Sequence, residues 1–150
     1  MRAVIQRVIS ASCAVNFEIT GQIGTGLMVL VGIEEADDDE DVVWLAQKIA
    51  SMRIFADEND LMNKALADVQ GNILLISQFT LFASTKKGNR PGFTRSATSE
   101  TAIPLYEKMI AELSRNIGKD IKTGIFGADM QITLVNDGPV TIIIDSKSKE

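Results

Sequence analysis

The sequence lacks histidine altogether and contains a single cysteine, Cys13. Without histidine, the chain cannot form a Ser-His-Asp or Cys-His catalytic site, and the common zinc sites are excluded as well. One cysteine allows no internal disulfide. Because Cys13 alternates with Ala11 and Val15, we expect a buried thiol in a strand rather than a nucleophile. The sequence therefore predicts neither a metal site nor a cofactor.

Aromatic residues and long apolar stretches are also scarce. Aromatics make up 5% of the 150 residues, so the core must depend on aliphatic side chains and methionine. No stretch is long and apolar enough to span a bilayer, and residues 1–12 lack the apolar segment of a signal peptide. We therefore expect a cytoplasmic protein without a membrane partner. The length, and the absence of a proline- or glycine-rich linker, predict a single domain over residues 1–150.

Positive charge is in deficit, with 15 Lys and Arg against 20 Asp and Glu, a formal net charge of −5. This balance argues against a protein that coats nucleic acid through bulk charge, although it permits a local basic patch. The acids cluster at residues 34–41 and the bases at residues 86–95. The acidic cluster is typical of a solvated helix start, since the regular spacing and central glycine of a calcium loop are missing.

Hydrophobic periodicity predicts an α+β domain with a mixed sheet. Alternating or continuous apolar residues predict strands over residues 2–16, 19–23, 26–33, 72–81, 129–135 and 140–144. A first helix should open at residues 37–41 and bury Val42, Leu45, Ala46 and Ile49. A second should span residues 101–117, with Pro104 in its first turn and Gly118 closing it. Residues 57–64 and 85–98 are predicted as polar loops.

Three polar segments are candidates for function, and each has an ordinary structural interpretation. Ser77-Gln78-Phe79-Thr80 interrupts an apolar strand with polar side chains. These can belong to a functional site, or they can simply form hydrogen bonds with neighbouring groups at the end of the strand. The basic loop 86–93 can grip phosphates, or be a solvated loop. Asn136-Asp137-Gly138-Pro139 can contain a cis peptide bond, or be an ordinary turn that links two strands.

Together these segments resemble the paired signature of the D-aminoacyl-tRNA deacylase family. Residues 77–80 and 136–141 carry the signature, and the opening residues 1–8 and the loop 87–91 are also similar to the family's. The motifs follow one another at the family's spacing over the whole chain. The C-terminal extension of some eukaryotic members is missing, so the chain is similar to the bacterial type.

The resemblance implies a homodimer whose α+β fold has two helices and a mixed sheet or partial barrel. It implies a proofreading enzyme that cuts the ester between tRNA and a D-amino acid or glycine. The pocket for the terminal adenosine and the ester would be lined by Ser77, Gln78, Phe79 and Thr80. Gly138-Pro139 would be cis, enter the partner's pocket and exclude L side chains, supported by Arg7 and Asn136. The tRNA would be bound by Lys86, Lys87, Arg90 and Met130.

Ester hydrolysis without histidine leaves two mechanisms open. Thr80 can act as a nucleophile, although nothing in the sequence supplies a base for it. Alternatively, backbone N–H groups near Phe79 and Thr80 stabilise the oxyanion while the 2′-hydroxyl of the last ribose helps to activate water. We favour the second, because an aminoacyl ester is already activated.

Two other functions compete with the deacylase. A non-catalytic dimer that binds RNA or DNA ends would use the same loop and pocket but cut no ester. A small-molecule esterase would not need the basic loop and would cleave esters that lack the adenosine.

Overall fold

The computed structural model describes residues 1–150 and contains eight strands, two α-helices and two 3₁₀ turns. The 3₁₀ turns are Ala67–Val69 and Phe79–Phe82. Neither helix combines the length and apolar character needed to cross a lipid bilayer. The strands and α-helices, in chain order, are β1 Arg2–Val15, β2 Glu18–Ile23, β3 Gly26–Gly32, α1 Asp39–Ser51, β4 Phe55–Ala56, β5 Met62–Lys64, β6 Asn72–Ser77, α2 Ser99–Ile117, β7 Lys122–Thr123 and β8 Gln131–Asp145.

The main sheet is mixed and curls towards a partial barrel, as predicted. Its order is β2-β1-β3-β6-β7, and β8 pairs with the other edge of β1. The pairs β1–β2, β1–β3 and β1–β8 are antiparallel, whereas β3–β6 and β6–β7 are parallel. The curl brings β2 against β7, where a Cβ added at Gly21 would lie 2.5 Å from the carbonyl oxygen of Thr123. Glycine at this position therefore allows the two ends of the sheet to approach.

Both helices cover one face of the sheet and enclose the larger core. The acidic cluster opens α1 as predicted, because the Asp38 carboxylate accepts hydrogen bonds from the N–H groups of Glu40 (2.9 Å) and Asp41 (3.2 Å). The predicted inner face of α1 is fully buried. At the end of α2, Gly118 has a φ of +70°, a conformation that suits glycine and closes the helix as predicted. A smaller core on the other face contains Cys13, whose side chain is buried as predicted.

Three predicted boundaries are wrong. β6 ends at Ser77 instead of residue 81, because the chain turns into the 3₁₀ turn Phe79–Phe82. α2 begins at Ser99, two residues before the predicted start, so Pro104 lies in the second turn of the helix instead of the first. The loop 57–64 contains part of the short hairpin β4–β5, whose connection is closed by hydrogen bonds from the N–H groups of Asn59 and Leu61 to the Asp57 carboxylate.

The predicted turn at residues 136–139 does not reverse the chain. β8 runs continuously from Gln131 to Asp145, and both of its halves pair with β1. Val8 pairs with Asn136 and Gln6 pairs with Thr141, so β8 holds extra residues opposite a two-residue step of β1. The segment Asp137–Val140 is therefore a bulge within one strand, not a connection between two.

Candidate functional site

The segment that follows β6 is seated on the end of β3. The N–H of Gln78 donates to the carbonyl oxygen of Val31 at 2.7 Å, which extends the pairing one residue beyond the strand. The chain then turns into Phe79–Phe82. A Cβ added at Gly32 would lie 3.0 Å from the carbonyl oxygen of Gln78 and 3.1 Å from the Phe82 ring. Gly32 therefore gives the turn room to pack directly on the β3 backbone.

Two hydrogen bonds and two guanidinium–ring contacts hold this turn in place. The Ser96 hydroxyl donates to the carbonyl oxygen of Phe79 at 2.9 Å, and the Arg2 guanidinium donates to that of Leu81 at 2.8 Å. The guanidinium groups of Arg2 and Arg95 lie 4.9 and 5.2 Å from the centre of the buried Phe82 ring. The backbone of the turn is thus anchored from β1 and from the loop that leads into α2.

The polar groups of the turn include hydrogen-bond donors but no base. The Gln78 side-chain amide donates to the Thr80 hydroxyl, which is exposed and has no other side-chain partner. The N–H groups of Phe79 and Thr80 open the 3₁₀ turn, so they have no partner within it, and no side chain caps them. The turn therefore offers two backbone donors, whereas nothing beside Thr80 can remove its proton.

A mostly apolar cavity of about 440 Å³ opens beside this turn. Of the residues predicted for the site, Ser77, Gln78, Phe79 and Met130 line it, whereas Thr80 does not. The structure therefore places Met130 beside Ser77-Gln78-Phe79, a segment that lies far from it in sequence. Met130 packs beside Gly124, where a Cβ would lie only 2.3 Å from its sulfur and 3.0 Å from that of Cys13.

Sequence reasoning missed two walls of the cavity. One is Phe126-Gly127-Ala128, just before β8, and the other is Ala97, Ser99 and Ala102 at the start of α2. Ser99 and Ala102 are small residues one helical turn apart, a signal that could have indicated an open helix face. The first wall carries no periodic signal, since its shape depends on a turn with Gly127 at a φ of +76°.

Arg7 and Asn136 brace the bulge of β8. The Arg7 guanidinium donates to the carbonyl oxygens of Asp137 (3.1 Å) and Ile54 (2.6 Å), and it lies 3.2 Å from the Asp137 carboxylate. The Asn136 amide donates to the carbonyl oxygens of Arg7 (2.9 Å) and Val140 (3.0 Å). Both residues therefore contact the bulge that the sequence analysis expected them to support.

The tip of the bulge is exposed to solvent. The Gly138–Pro139 peptide bond is cis, as predicted, and both residues are exposed. Gly138 has a φ of +133°, and a Cβ there would lie 2.8 Å from the Val140 side chain, so only glycine fits. Neither residue lines the cavity of its own chain.

The basic loop is exposed and lies outside the cavity. Lys86, Lys87 and Arg90 form no ion pair and do not line the cavity. Two backbone hydrogen bonds between Ser84 and Gly92, of 2.8 and 2.9 Å, close the loop. No three His, Cys, Asp or Glu side chains are arranged to hold a metal ion.

Known proteins resemble this chain over its whole length. The family described as D-Tyr-tRNA(Tyr) deacylase matches residues 4–145. Relatives named D-aminoacyl-tRNA deacylase include those of Flavobacterium johnsoniae, 57% identical, and Dechloromonas aromatica, 55% identical, each over 150 residues and the full length of both chains.

Two solved structures share the fold. The structure named c-Myc DNA Unwinding Element Binding Protein is 39% identical, with a TM-score of 0.90 over 97% of this chain and 98% of that one. A probable eukaryotic D-amino acid tRNA deacylase is 17% identical, with a TM-score of 0.82 over 95% of this chain and 97% of that one. The family match and the full-length relatives together show that this chain belongs to the D-aminoacyl-tRNA deacylase family.

Proposed function

We propose that this chain hydrolyses the ester of D-aminoacyl-tRNA, and of glycyl-tRNA mischarged on a non-cognate tRNA, as a cytoplasmic proofreading step. The observation that carries the proposal is the cavity where Ser77, Gln78 and Phe79 meet Met130. Its volume of about 440 Å³ lies within the range typical of small-ligand sites. The terminal adenosine enters this cavity, and its flat base packs against the apolar walls that include Met130 and Phe126.

The chemistry follows from the donors that the turn provides. Water attacks the ester carbonyl, its oxygen bonds to the carbonyl carbon, and the bond to the ribose oxygen breaks as that oxygen takes a proton. The N–H groups of Phe79 and Thr80, which lack a partner in the turn, stabilise the negative charge on the carbonyl oxygen. The neighbouring 2′-hydroxyl of the substrate helps to position the water. Thr80 is not the nucleophile, because its hydroxyl contacts an amide instead of a base.

Exclusion of L-amino acids belongs to the bulge of β8. In a homodimer, the exposed Gly138 and Pro139 of one subunit enter the cavity of the other and occupy the space of an L side chain. The bracing by Arg7 and Asn136 supports this role, because a steric filter must be rigid. A D side chain points away from the filter and glycine has no side chain, so both are accepted.

The unpaired edge of β8 supports the homodimer. β8 pairs only with β1, which leaves a 15-residue edge strand without a partner on its outer side. Two of its apolar side chains, Val135 and Ile143, are 51% and 69% exposed. A second copy of the chain would cover this surface and bring the bulge to a neighbouring cavity.

A deacylation assay tests the proposed function. We expect release of the amino acid from D-aminoacyl-tRNA and glycyl-tRNA, and little release from the same tRNA carrying the L-amino acid. Equal rates for the D and L esters would contradict the steric filter. No hydrolysis of either ester would contradict the deacylase activity itself.

A second candidate is a non-catalytic dimer that binds RNA or DNA ends. It is favoured by one observation, the 39% identity to a structure named as a DNA unwinding element binding protein. This candidate predicts that the chain binds nucleic acid ends while the aminoacyl ester stays intact. A small-molecule esterase would instead cleave aminoacyl esters that lack the adenosine. Three measurements separate the functions: deacylation of aminoacyl-tRNA, cleavage of aminoacyl esters that lack the adenosine, and binding of RNA or DNA ends.

A further inference from the structure

Two phenylalanine rings in contact with each other are left in solvent at the rim of the cavity. Phe79 lines the cavity and is 57% exposed, while Phe93 does not line it and is 36% exposed. Their ring centres are 5.1 Å apart and their planes meet at 75°. Aromatic residues are few in this chain, and Phe55, Phe82 and Tyr106 are buried in its cores. The two rings therefore lie exposed beside the cavity instead of packing in the core.

The pair is continuous in sequence with the basic loop. Phe93 is the last residue of that loop and comes directly after Gly92, which pairs with Ser84 to close it. No acidic residue occurs between positions 72 and 99, although the chain as a whole carries a net charge of −5. The exposed cations Lys86, Lys87 and Arg90 have no ion-pair partner. The aromatic pair thus lies between an apolar cavity and a local concentration of positive charge.

We infer that Phe79 and Phe93 form a stacking surface for the second-to-last nucleobase of the tRNA. This inference rests on the proposed function, in which the last nucleoside fills the cavity. The single strand must then leave over the rim, where its next base meets the two rings and its phosphates meet the loop. Aromatic side chains stack on any base, since every base presents a flat π-face. The complementary charge of the loop favours nucleic acid over an apolar protein segment as the occupant.

Three small substrates isolate this contact. They are a D-aminoacyl adenosine, the same ester on the dinucleotide cytidylyl-adenosine, and the same dinucleotide with its cytosine base removed. We expect the complete dinucleotide to be cleaved with a kcat/KM about tenfold above the abasic one, because stacking adds binding energy. Phe93→Leu should remove most of that advantage and leave the rates on the other two substrates within about twofold of wild type.

Two variants complete the experiment. Phe93→Tyr keeps an aromatic face and should retain the preference for the complete dinucleotide. Phe17→Leu changes a phenylalanine that is fully exposed, outside the cavity and the loop, and should not alter any of the three rates. Unchanged cleavage of the aminoacyl adenosine by Phe93→Leu shows at once that this variant is folded.

The outcomes that overturn the inference differ from those that overturn the proposed function. Wild-type enzyme that cleaves the complete and abasic dinucleotides equally well excludes the stacking surface and leaves the deacylase function intact. An equal loss on all three substrates by Phe93→Leu assigns the residue to the fold or to a subunit contact instead. Wild-type enzyme that cleaves none of the three, nor the full aminoacyl-tRNA, removes the proposed function and this inference together.

Discussion

At the scale of single residues, the hydroxyl of Thr80 is the one side-chain group in the turn that could form a covalent intermediate. Its hydrogen-bond donor is the Gln78 amide, and an amide cannot take up its proton. The buried thiol of Cys13 is remote from solvent and equally without a base. The mechanism we propose therefore depends on the backbone and the substrate more than on a reactive side chain.

Replacing Thr80 tests this conclusion. We expect Thr80→Ala to keep its single-turnover rate within about tenfold of wild type, because the backbone donors remain in place. Thr80→Ser, which keeps a hydroxyl, is the matched variant and should behave in the same way. If Thr80→Ala loses several orders of magnitude while Thr80→Ser does not, Thr80 is the nucleophile and our mechanism is wrong.

At the scale of elements, the lysine and arginine side chains of the basic loop 86–93 should act through their charge alone. We expect Lys86→Ala with Arg90→Ala to weaken tRNA binding and to lower the slope of log affinity against log salt by about two, one for each lost phosphate contact. Titrations over a series of salt concentrations measure this slope.

The control removes the same charge elsewhere on the surface. Lys48 and Lys149 both lie over the Trp44 ring, at 5.8 and 4.8 Å from its centre, away from the cavity. Their double replacement by alanine should leave the slope of wild type unchanged. Equal slopes for the two double variants would assign the loop to ordinary solvated surface.

Periodicity and caps predicted most elements because these signals are local. The acidic cap at Asp38 and the glycine at 118 each satisfy groups of their own helix, so neighbouring residues suffice to identify them. The end of β6 could not be predicted in this way. Phe79–Phe82 is as apolar as the strand before it, and its turn depends on Gly32 and Arg2, which are distant in sequence.

The bulge and the cavity also depend on residues that are distant in sequence, which local patterns do not reveal. Asn136-Asp137-Gly138-Pro139 has the composition of a reversal, and only pairing of both flanks with β1 makes it a bulge. The resemblance assigned Ser77, Gln78 and Phe79 to a pocket and Met130 to tRNA binding; all four line the cavity, whereas the wall at 126–128 was missed. That wall is irregular backbone with Gly127 at a φ of +76°, and no residue pattern within it indicates a binding surface.

At the scale of the whole molecule, the cavity and the bulge of one chain are separate, so the proposed filter requires two chains. We expect wild-type protein to have twice the mass of one chain in light scattering at micromolar concentration. Ile143→Arg places a charge on the exposed face of β8 and should shift the protein towards monomer, with loss of D/L discrimination or activity.

A matched variant separates this effect from a general loss of stability. Val43 is 41% exposed on α1, on the helical side of the molecule, and Val43→Arg should remain a fully active dimer. A fully active wild-type monomer would contradict both the homodimer and the filter in trans.

The pairing of β1 with β8 has a consequence for how the protein is made. Arg2 pairs with Asp145 and Ala14 with Gln131. The first strand to leave the ribosome therefore cannot form these pairs until the last strand has been synthesised. Until then, β1 presents an open edge, and Arg7 has no bulge to brace. Contacts of such long sequence separation form slowly. A nascent chain is therefore without the bulge of the proposed filter until synthesis is almost finished, and an interrupted chain would expose an aggregation-prone strand instead of a partly working enzyme.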